Sequence, residues 1–155
     1  KEFKMNINLL REELARDEGI KYETYLDHLG LKTCGVGHLC REDEPEFDKP
    51  LGASVSEERV NELFEQDIKI TIDDCKKVYE DWDTMPEQAK RVCANMMFNL
   101  GYPRYSKFKK KIQAVKDGDW FEASVQMEES KWFHQVPNRA KRLIERMKNC
   151  EDIKW

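Results

Sequence analysis

Residues 17–39 read DEGIKYETYLDHLGLKTCGVGHL, and the punctuation of that stretch decides the fold. Upstream, Leu9, Leu10 and Leu14 recur at helical spacing among Arg and Glu, which predicts a helix over 8–18. Asn8 is placed to cap its start and Gly19 to stop it. Beyond Gly19 the character changes. Tyr22, Thr24 and Tyr25 favour strand. Asp27-His28-Leu29-Gly30 has Asp first and Gly fourth, the pattern of a type I turn. Leu31 to Val36 reads as the returning strand, and Gly35-Val36-Gly37 as a second tight bend. A small sheet of three short strands is therefore expected directly after a helix.

Working outward, residues 41–53 are acidic, carry Pro45, Pro50 and Gly52, and read as an irregular loop. Ser54 or Ser56 then caps a long helix, with Ser54 and Glu57 at capping-box spacing. Val60, Leu63, Phe64, Ile68, Ile72, Cys75 and Tyr79 keep a period of three to four to about residue 80. At ~1.5 Å per residue that helix is ~35 Å long, enough to span both lobes of a small protein. Thr84 and Pro86 open another helix, which Gly101 ends. Its stretch Val92-Cys93-Ala94-Asn95-Met96-Met97-Phe98 is apolar nearly all round, so it should be central and buried. Three shorter helices follow, over 105–116, over 119–129 from an Asp119 cap, and over 137–148 opened by Pro137. The expected fold is α+β with two lobes. A small antiparallel sheet lobe (about 19–58) is joined by a connecting helix (about 56–80) to a larger helical lobe (about 81–155). The N-terminal helix 8–18 is counted with the helical lobe, and the whole of 1–155 forms one domain.

Composition narrows the function. The 155 residues and 18.5 kDa are enough to bury a core without staples. Lys and Arg total 27 against 31 Asp and Glu, a net charge of −4, which disfavours a generic nucleic-acid binder. No apolar run approaches a membrane span. The five cysteines include no C-x-x-C pair, so zinc-finger and thioredoxin readings lack their spacing. An odd number leaves one thiol over in any bridged form. Cys75 and Cys93 fall on apolar helix faces, whereas Cys34 and Cys40 flank the hairpin bend, where a bridge is conceivable if the geometry allows.

Two carboxylates are candidates for chemistry. Glu18 lies in the last turn of a helix, where the negative end of the macrodipole disfavours its charged form and tends to raise its pKa. A general acid working near neutral pH needs that. The alternative is a solvated glutamate at a helix end. Asp27 sits at a turn, where an aspartate ordinarily serves its own backbone. Two carboxyl groups on either side of a cleft are the minimum apparatus of glycoside hydrolysis, but spacing alone does not pair these two. Thr33 reads as an ordinary strand threonine, and His38, beside the bend, as a structural histidine. No nucleophile motif supports acyl transfer. Gly35-Val36-Gly37 lacks the third glycine and the helix of a nucleotide loop. Lys109-Lys110-Lys111 is a solvated basic face, open to an anionic polymer.

Asp17-Glu18-Gly19 followed by Tyr25, Asp27, Thr33 and Gly35-Val36-Gly37-His38-Leu39 resembles the catalytic segment of phage-type lysozymes, the T-even endolysin family. Asn95-Met96-Met97-Phe98-Asn99-Leu100-Gly101 is similar to that family's buried central helix. The run from Trp132 to Arg142 is similar to its near-C-terminal signature, and Gln66-Asp67 on the long helix also fits. The matches span about residues 5–145 in the same order. The resemblance implies a muramidase without metal or cofactor. Its reaction is cleavage of the β-1,4 bond between N-acetylmuramic acid and N-acetylglucosamine in bacterial peptidoglycan, with inversion.

By position, Glu18 is then the general acid, while Asp27, helped by Thr33, places the attacking water. The carboxyls of an inverting pair stand ~6.5–9.5 Å apart, against ~5–5.5 Å for a covalent mechanism. Leu39, Phe98 and Asn99 match positions in the sugar-binding cleft. Lys111 and Gln126 stand at two further sugar-contacting positions where the family pattern has Ser and Asn, and Asn99 where Gln is usual. The same resemblance gives Arg139 the task of holding Glu18, pairs Asp17 with Arg142, and pairs His38 with Asp67.

The expected partner is peptidoglycan, with no nucleic acid and no membrane insertion, for a monomer. The expected setting is secretion or a digestive compartment, or host cytoplasm for a phage endolysin. A chitin-type hydrolase and a non-catalytic glycan-binding protein on the same fold are the rival readings.

Overall fold

The computed structural model describes residues 4–150, so both ends of the expected domain 1–155 lie outside the described residues. The chain divides into two compact units. One comprises residues 11–70; the other comprises 4–10 with 71–150. The divisions fall inside two helices, α1 (Ile7–Glu18) and α2 (Glu57–Val78). Residues 11–18 thus fall in the unit that holds the sheet, and the long helix contributes to both units. Among the described residues no helix is long and apolar enough to cross a membrane.

In the sheet unit, α1 starts one residue earlier than expected. Asn6, not Asn8, is the cap, its Oδ1 accepting from the Leu9 N–H at 3.1 Å. Gly19 ends the helix, its N–H bonded to the Ala15 carbonyl at 2.9 Å and its φ at 75°. The sheet has three antiparallel strands in the order β1 (Lys21–Leu26), β2 (Lys32–Gly35), β3 (His38–Leu39). Tyr25 stands opposite Thr33, and Thr33 opposite Leu39, so the three form a row on one face. On the other face Cys34 stands opposite His38, and both are buried.

Cys40, diagonal to Cys34, is also buried, with the two sulfurs 3.8 Å apart. They are thiols, not a bridge. A diagonal pair is spaced more widely than one directly opposite, and bridging it would need the strands to shift. Burial, then the neighbouring Cys40, pushes the Cys34 pKa up to about 12.

The loop over 41–53 is less irregular than its composition suggests. Pro45–Asp48 form a 3-10 turn, and the chain then runs back beside β1, where the Val55 N–H bonds the Tyr22 carbonyl at 2.9 Å. Ser56 rather than Ser54 caps α2, accepting from the Arg59 N–H at 3.1 Å.

The second unit is helical. α3 (Glu87–Leu100) buries Val92, Cys93, Ala94, Asn95, Met96 and Met97, so it is enclosed on all sides. α8 (Pro137–Lys148) packs on α3 and on α6 (Trp120–Glu128), which in turn packs on α5 (Lys109–Lys116). The helix expected over 105–116 is broken. A single turn, α4 (Tyr102–Tyr105), precedes α5, and between them the Ser106 hydroxyl takes the Pro103 carbonyl at 3.1 Å. That local bond competes with helix propagation. Sequence periodicity misses α7 (Lys131–Gln135), because five residues are too few to show a period. Its cap is Ser130, which accepts from Phe133 N–H at 3.3 Å.

Candidate active site

Glu18 is the last residue of α1 and is half-buried. Its carboxylate lies against the backbone of Gly37 in the β2–β3 bend. A methyl group built on Gly37 would sit 2.5 Å from Glu18 Oε1. Gly37 also has φ +58°, so the bend and the close approach both require glycine. The second tight bend therefore shapes the wall on which Glu18 rests.

Asp27 follows β1 and closes the first turn. Its Oδ1 accepts from the N–H groups of Leu29 and Leu31, each at 2.9 Å. Its own N–H donates to the Leu31 carbonyl at 2.9 Å. The turn thus uses one carboxylate oxygen, and among the described residues the other has no hydrogen bond. Serving the backbone and serving chemistry are compatible here, because the turn fixes the orientation of the free oxygen. Thr33 is 4% exposed and donates its hydroxyl proton to the Leu31 carbonyl at 2.9 Å. With the proton engaged there, the hydroxyl can only accept from a further partner.

Tyr25 is half-buried on β1, two residues before Asp27. Its pKa is raised by burial and then by the charges of Glu18 and Asp27. In the sheet Tyr25 stands directly opposite Thr33. Tyr25 belongs to the sequence pattern without a role attached to it, and only the register reveals its place. Leu39, at the end of the same row, is 51% exposed and offers an apolar surface beside Thr33.

A second cluster fastens the hairpin to α2. His38 Nδ1 lies 2.7 Å from Asp67 Oδ2, and Nε2 lies 2.8 Å from Glu44 Oε1. With carboxylates at both nitrogens, the ring is favoured in its charged form. Burial alone would lower the His38 pKa, but Asp67 and Glu44 outweigh it and the net shift is upward. Burial likewise pushes Glu44 up, yet His38 and the Arg41 N–H bring it below the ordinary carboxylate value. Arg59 extends the cluster, bonding Glu46 at 2.6 Å. Sequence reading does not find Glu44, which lies in a loop whose composition reads as irregular. The 3-10 turn that brings it back to His38 has no periodic signal.

The remaining expected site residues lie in the helical unit, except Asp17, which is half-buried in the last turn of α1. Phe98 and Asn99 are half-buried near the end of α3, and Asn99 Oδ1 accepts from Trp132 Nε1 at 2.8 Å. Gln126 on α6 donates to Glu122 at 2.8 Å. Arg139 is buried on α8, with Nε on Asn95 Oδ1 at 2.9 Å and Nη2 near the Asn95 carbonyl at 3.3 Å. Arg142, one turn further along α8, is exposed.

Lys111 departs from its expected role as a sugar contact. It is 1% exposed, and its amine points inward to the hydroxyls of Tyr105 and Tyr79 and to Cys93 Sγ. Its long stem reaches past the pocket wall into a gap that two phenols can satisfy. Among the described residues no group of three or more His, Cys, Asp and Glu is arranged to hold a metal ion.

The fold, a small antiparallel sheet with a long helix and a helical unit, and the chain's relatives together define a glycoside hydrolase. A family model described as Phage lysozyme matches residues 15–149, and the chain belongs to that family. It is 29% identical over 157 residues to "Probable T4-type lysozyme 2" of Dictyostelium discoideum, covering 89% of this chain and 92% of that protein. It is 30% identical over 152 residues to "Pre-baseplate central spike protein Gp5" of Enterobacteria phage T4, covering 86% of this chain but 26% of that protein. It is also 30% identical over 139 residues to "Peptidoglycan hydrolase gp36" of Pseudomonas phage phiKMV, covering 88% of this chain and 15% of that protein.

Proposed function

We propose that the protein is an inverting muramidase. It would cut the β-1,4 bond between N-acetylmuramic acid and N-acetylglucosamine in peptidoglycan, using its own side chains alone. The observation that carries this reading is the turn that holds Asp27 by one carboxylate oxygen, with Thr33 on the returning strand and Glu18 fixed against the second bend at Gly37. Glu18 protonates the leaving glycosidic oxygen. A water donates one hydrogen to Thr33, whose hydroxyl can only accept, and the other to the free oxygen of Asp27. A lone pair of that water is then left for the anomeric carbon, and Asp27 takes the proton as the bond forms. Leu39, Phe98, Asn99 and Gln126 are the proposed sugar contacts; the Asn99 amide NH2 remains to donate, since its oxygen serves Trp132.

The relatives include lysozymes of Dictyostelium discoideum and proteins of two phages; the proposed setting is secretion or a digestive compartment, with host cytoplasm for a phage endolysin as the alternative. The test is clearing of a purified peptidoglycan suspension by wild type, Glu18→Gln and Asp27→Asn, with the product anomer followed by NMR. Asp27→Asn keeps an oxygen for the Leu29 and Leu31 N–H groups, so the turn should survive. Loss of activity in both variants and an inverted first product support the assignment. Full activity in Glu18→Gln, or a retained anomer, overturns it. Chitooligosaccharide as a parallel substrate decides which glycan is preferred.

A further inference from the structure

The helical unit holds a buried cluster of reactive side chains that hydrolysis does not use. Cys93 on α3 and Lys111 on α5 meet there, with Tyr79 just past α2 and Tyr105 at the end of α4. All four are at most 1% exposed. Lys111 Nζ lies 3.5 Å from Cys93 Sγ and 3.4 Å from the Tyr79 hydroxyl, and it donates to the Tyr105 hydroxyl as well. The Cys93 thiol donates to the Tyr79 hydroxyl at 3.8 Å. Burial lowers the Lys111 pKa and pushes both phenols up, so the cluster favours a neutral amine among neutral phenols. A neutral amine keeps the lone pair that a solvated lysine gives to a proton.

We propose that Cys93 and Lys111 form an oxidative cross-linking site, at which dioxygen joins Sγ to Nζ through one bridging oxygen. The S–H bond and one N–H bond break, and an S–O and an O–N bond form. Sulfur and nitrogen each give up two electrons, and dioxygen takes all four. One of its oxygens becomes the bridge, and the other leaves as water with the two released hydrogens. A dithiol reductant reverses the step, returning the thiol and the amine and releasing the bridging oxygen as water.

The geometry favours this product over its rivals. A direct S–N bond, formed by way of a sulfenic acid, would have to close a 3.5 Å contact to bonded distance. An inserted oxygen leaves sulfur and nitrogen as second neighbours. Cys75 is a second buried thiol, but among the described residues Cys93 Sγ makes its contacts with Lys111 and Tyr79. Access suits dioxygen too. Burial keeps out bulky and charged oxidants. A cavity of about 190 Å3 borders the cluster at Tyr79, with Met85 and Val115 in its wall, and local opening admits a small apolar molecule. The link ties α3 to α5, which are separated by 18 positions at these two residues.

The test is the intact mass of wild type held in air, before and after dithiothreitol, with tryptic mapping. One oxygen gained and two hydrogens lost make the oxidised protein about 14 Da heavier, and reductant removes the gain. Trypsin no longer cuts after Lys111, and residues 92–104 are joined to 111–116. Lys111→Met and Cys93→Ser each show no such gain. Closing a loop of this length should raise the Tm of the linked wild type by ~6–12 °C over the reduced form. Under reductant the amine is free, as in the structure. An unchanged mass after prolonged aeration overturns the proposal. So does a loss of about 2 Da, whether it maps to Cys75–Cys93 or to an oxygen-free Cys93–Lys111 bond. A gain of about 16 Da on Cys93 alone, with Lys111 still cleaved, also overturns it.

Discussion

Replacing Lys111 by Met should stabilise the protein. The amine is wholly buried and no carboxylate pairs with it among the described residues. It is held by two phenols and a thiol and lies 4.2 Å from the centre of the Tyr105 ring. Burial lowers its pKa from the ordinary 10.5. Removing the amine strands little, because the Tyr79 and Tyr105 hydroxyls already bond each other at 2.6 Å. Met has nearly the same length, so no cavity opens. Burying a polar group costs ~1–3 kcal/mol on mutational scales, and the variant recovers about 2 kcal/mol of it. For a chain of this size that is a rise in Tm of ~4–8 °C.

The pH dependence gives a sharper signature. Between the depressed folded pKa and 10.5 the unfolded chain binds more protons at Lys111 than the folded one. Wild-type stability relative to the variant therefore rises with pH across that window, by up to ~1.4 kcal/mol per pH unit. The advantage of Lys111→Met should shrink as the pH climbs towards 10.5. Urea unfolding of both proteins at intervals above neutral pH measures this directly. A destabilised variant would show that the bonds made by the amine outweigh its burial. A stability difference that ignores pH would show that Lys111 is not desolvated as described.

Three other outcomes are expected. His38 contributes stability that is complete below pH 6.5 and lost as pH rises through its raised folded pKa, while the Glu44 contribution is complete above pH 4.5 and lost as pH falls through its lowered one. Stability should thus peak between those values, and His38→Ala, which leaves the buried Glu44 to the Arg41 N–H and the Arg41 and Arg59 guanidinium groups, should cost ~2 kcal/mol and flatten the alkaline limb. Gly37→Ala places a methyl 2.5 Å from Glu18 Oε1 at φ +58°, so it should cost ~1–2 kcal/mol of folding free energy and at least ~10-fold in kcat. Wild-type kcat in the Ala variant would mean that Glu18 is not the general acid. Native Cys34, buried and with its pKa at about 12, should resist iodoacetamide at pH 8 and react only on unfolding, which peptide mapping would reveal.

Sequence by itself determined the elements whose causes are local. The leucine period and Gly19 set α1, the long apolar period set α2, and Asp27 and the glycines at 30, 35 and 37 set the turns of the hairpin. The family pattern then picked Glu18 and Asp27 from among 31 acidic residues and Thr33 from among four threonines. What it left open depends on pairing at a distance. Register alone puts Tyr25 opposite Thr33, and a glycine with no side chain lets Glu18 close on the second bend.

Glu44 reaches His38 only because a short 3-10 turn folds an acidic loop inward, and five residues of α7 are set by one serine cap. Lys111 shows the limit most plainly. A lysine in a basic run reads as solvated, yet this one is buried, because two tyrosines from other elements meet its amine. Helix and turn preferences act over a few neighbouring residues and are written in the chain. Burial of a charge and the packing of two phenols arise only when distant segments meet.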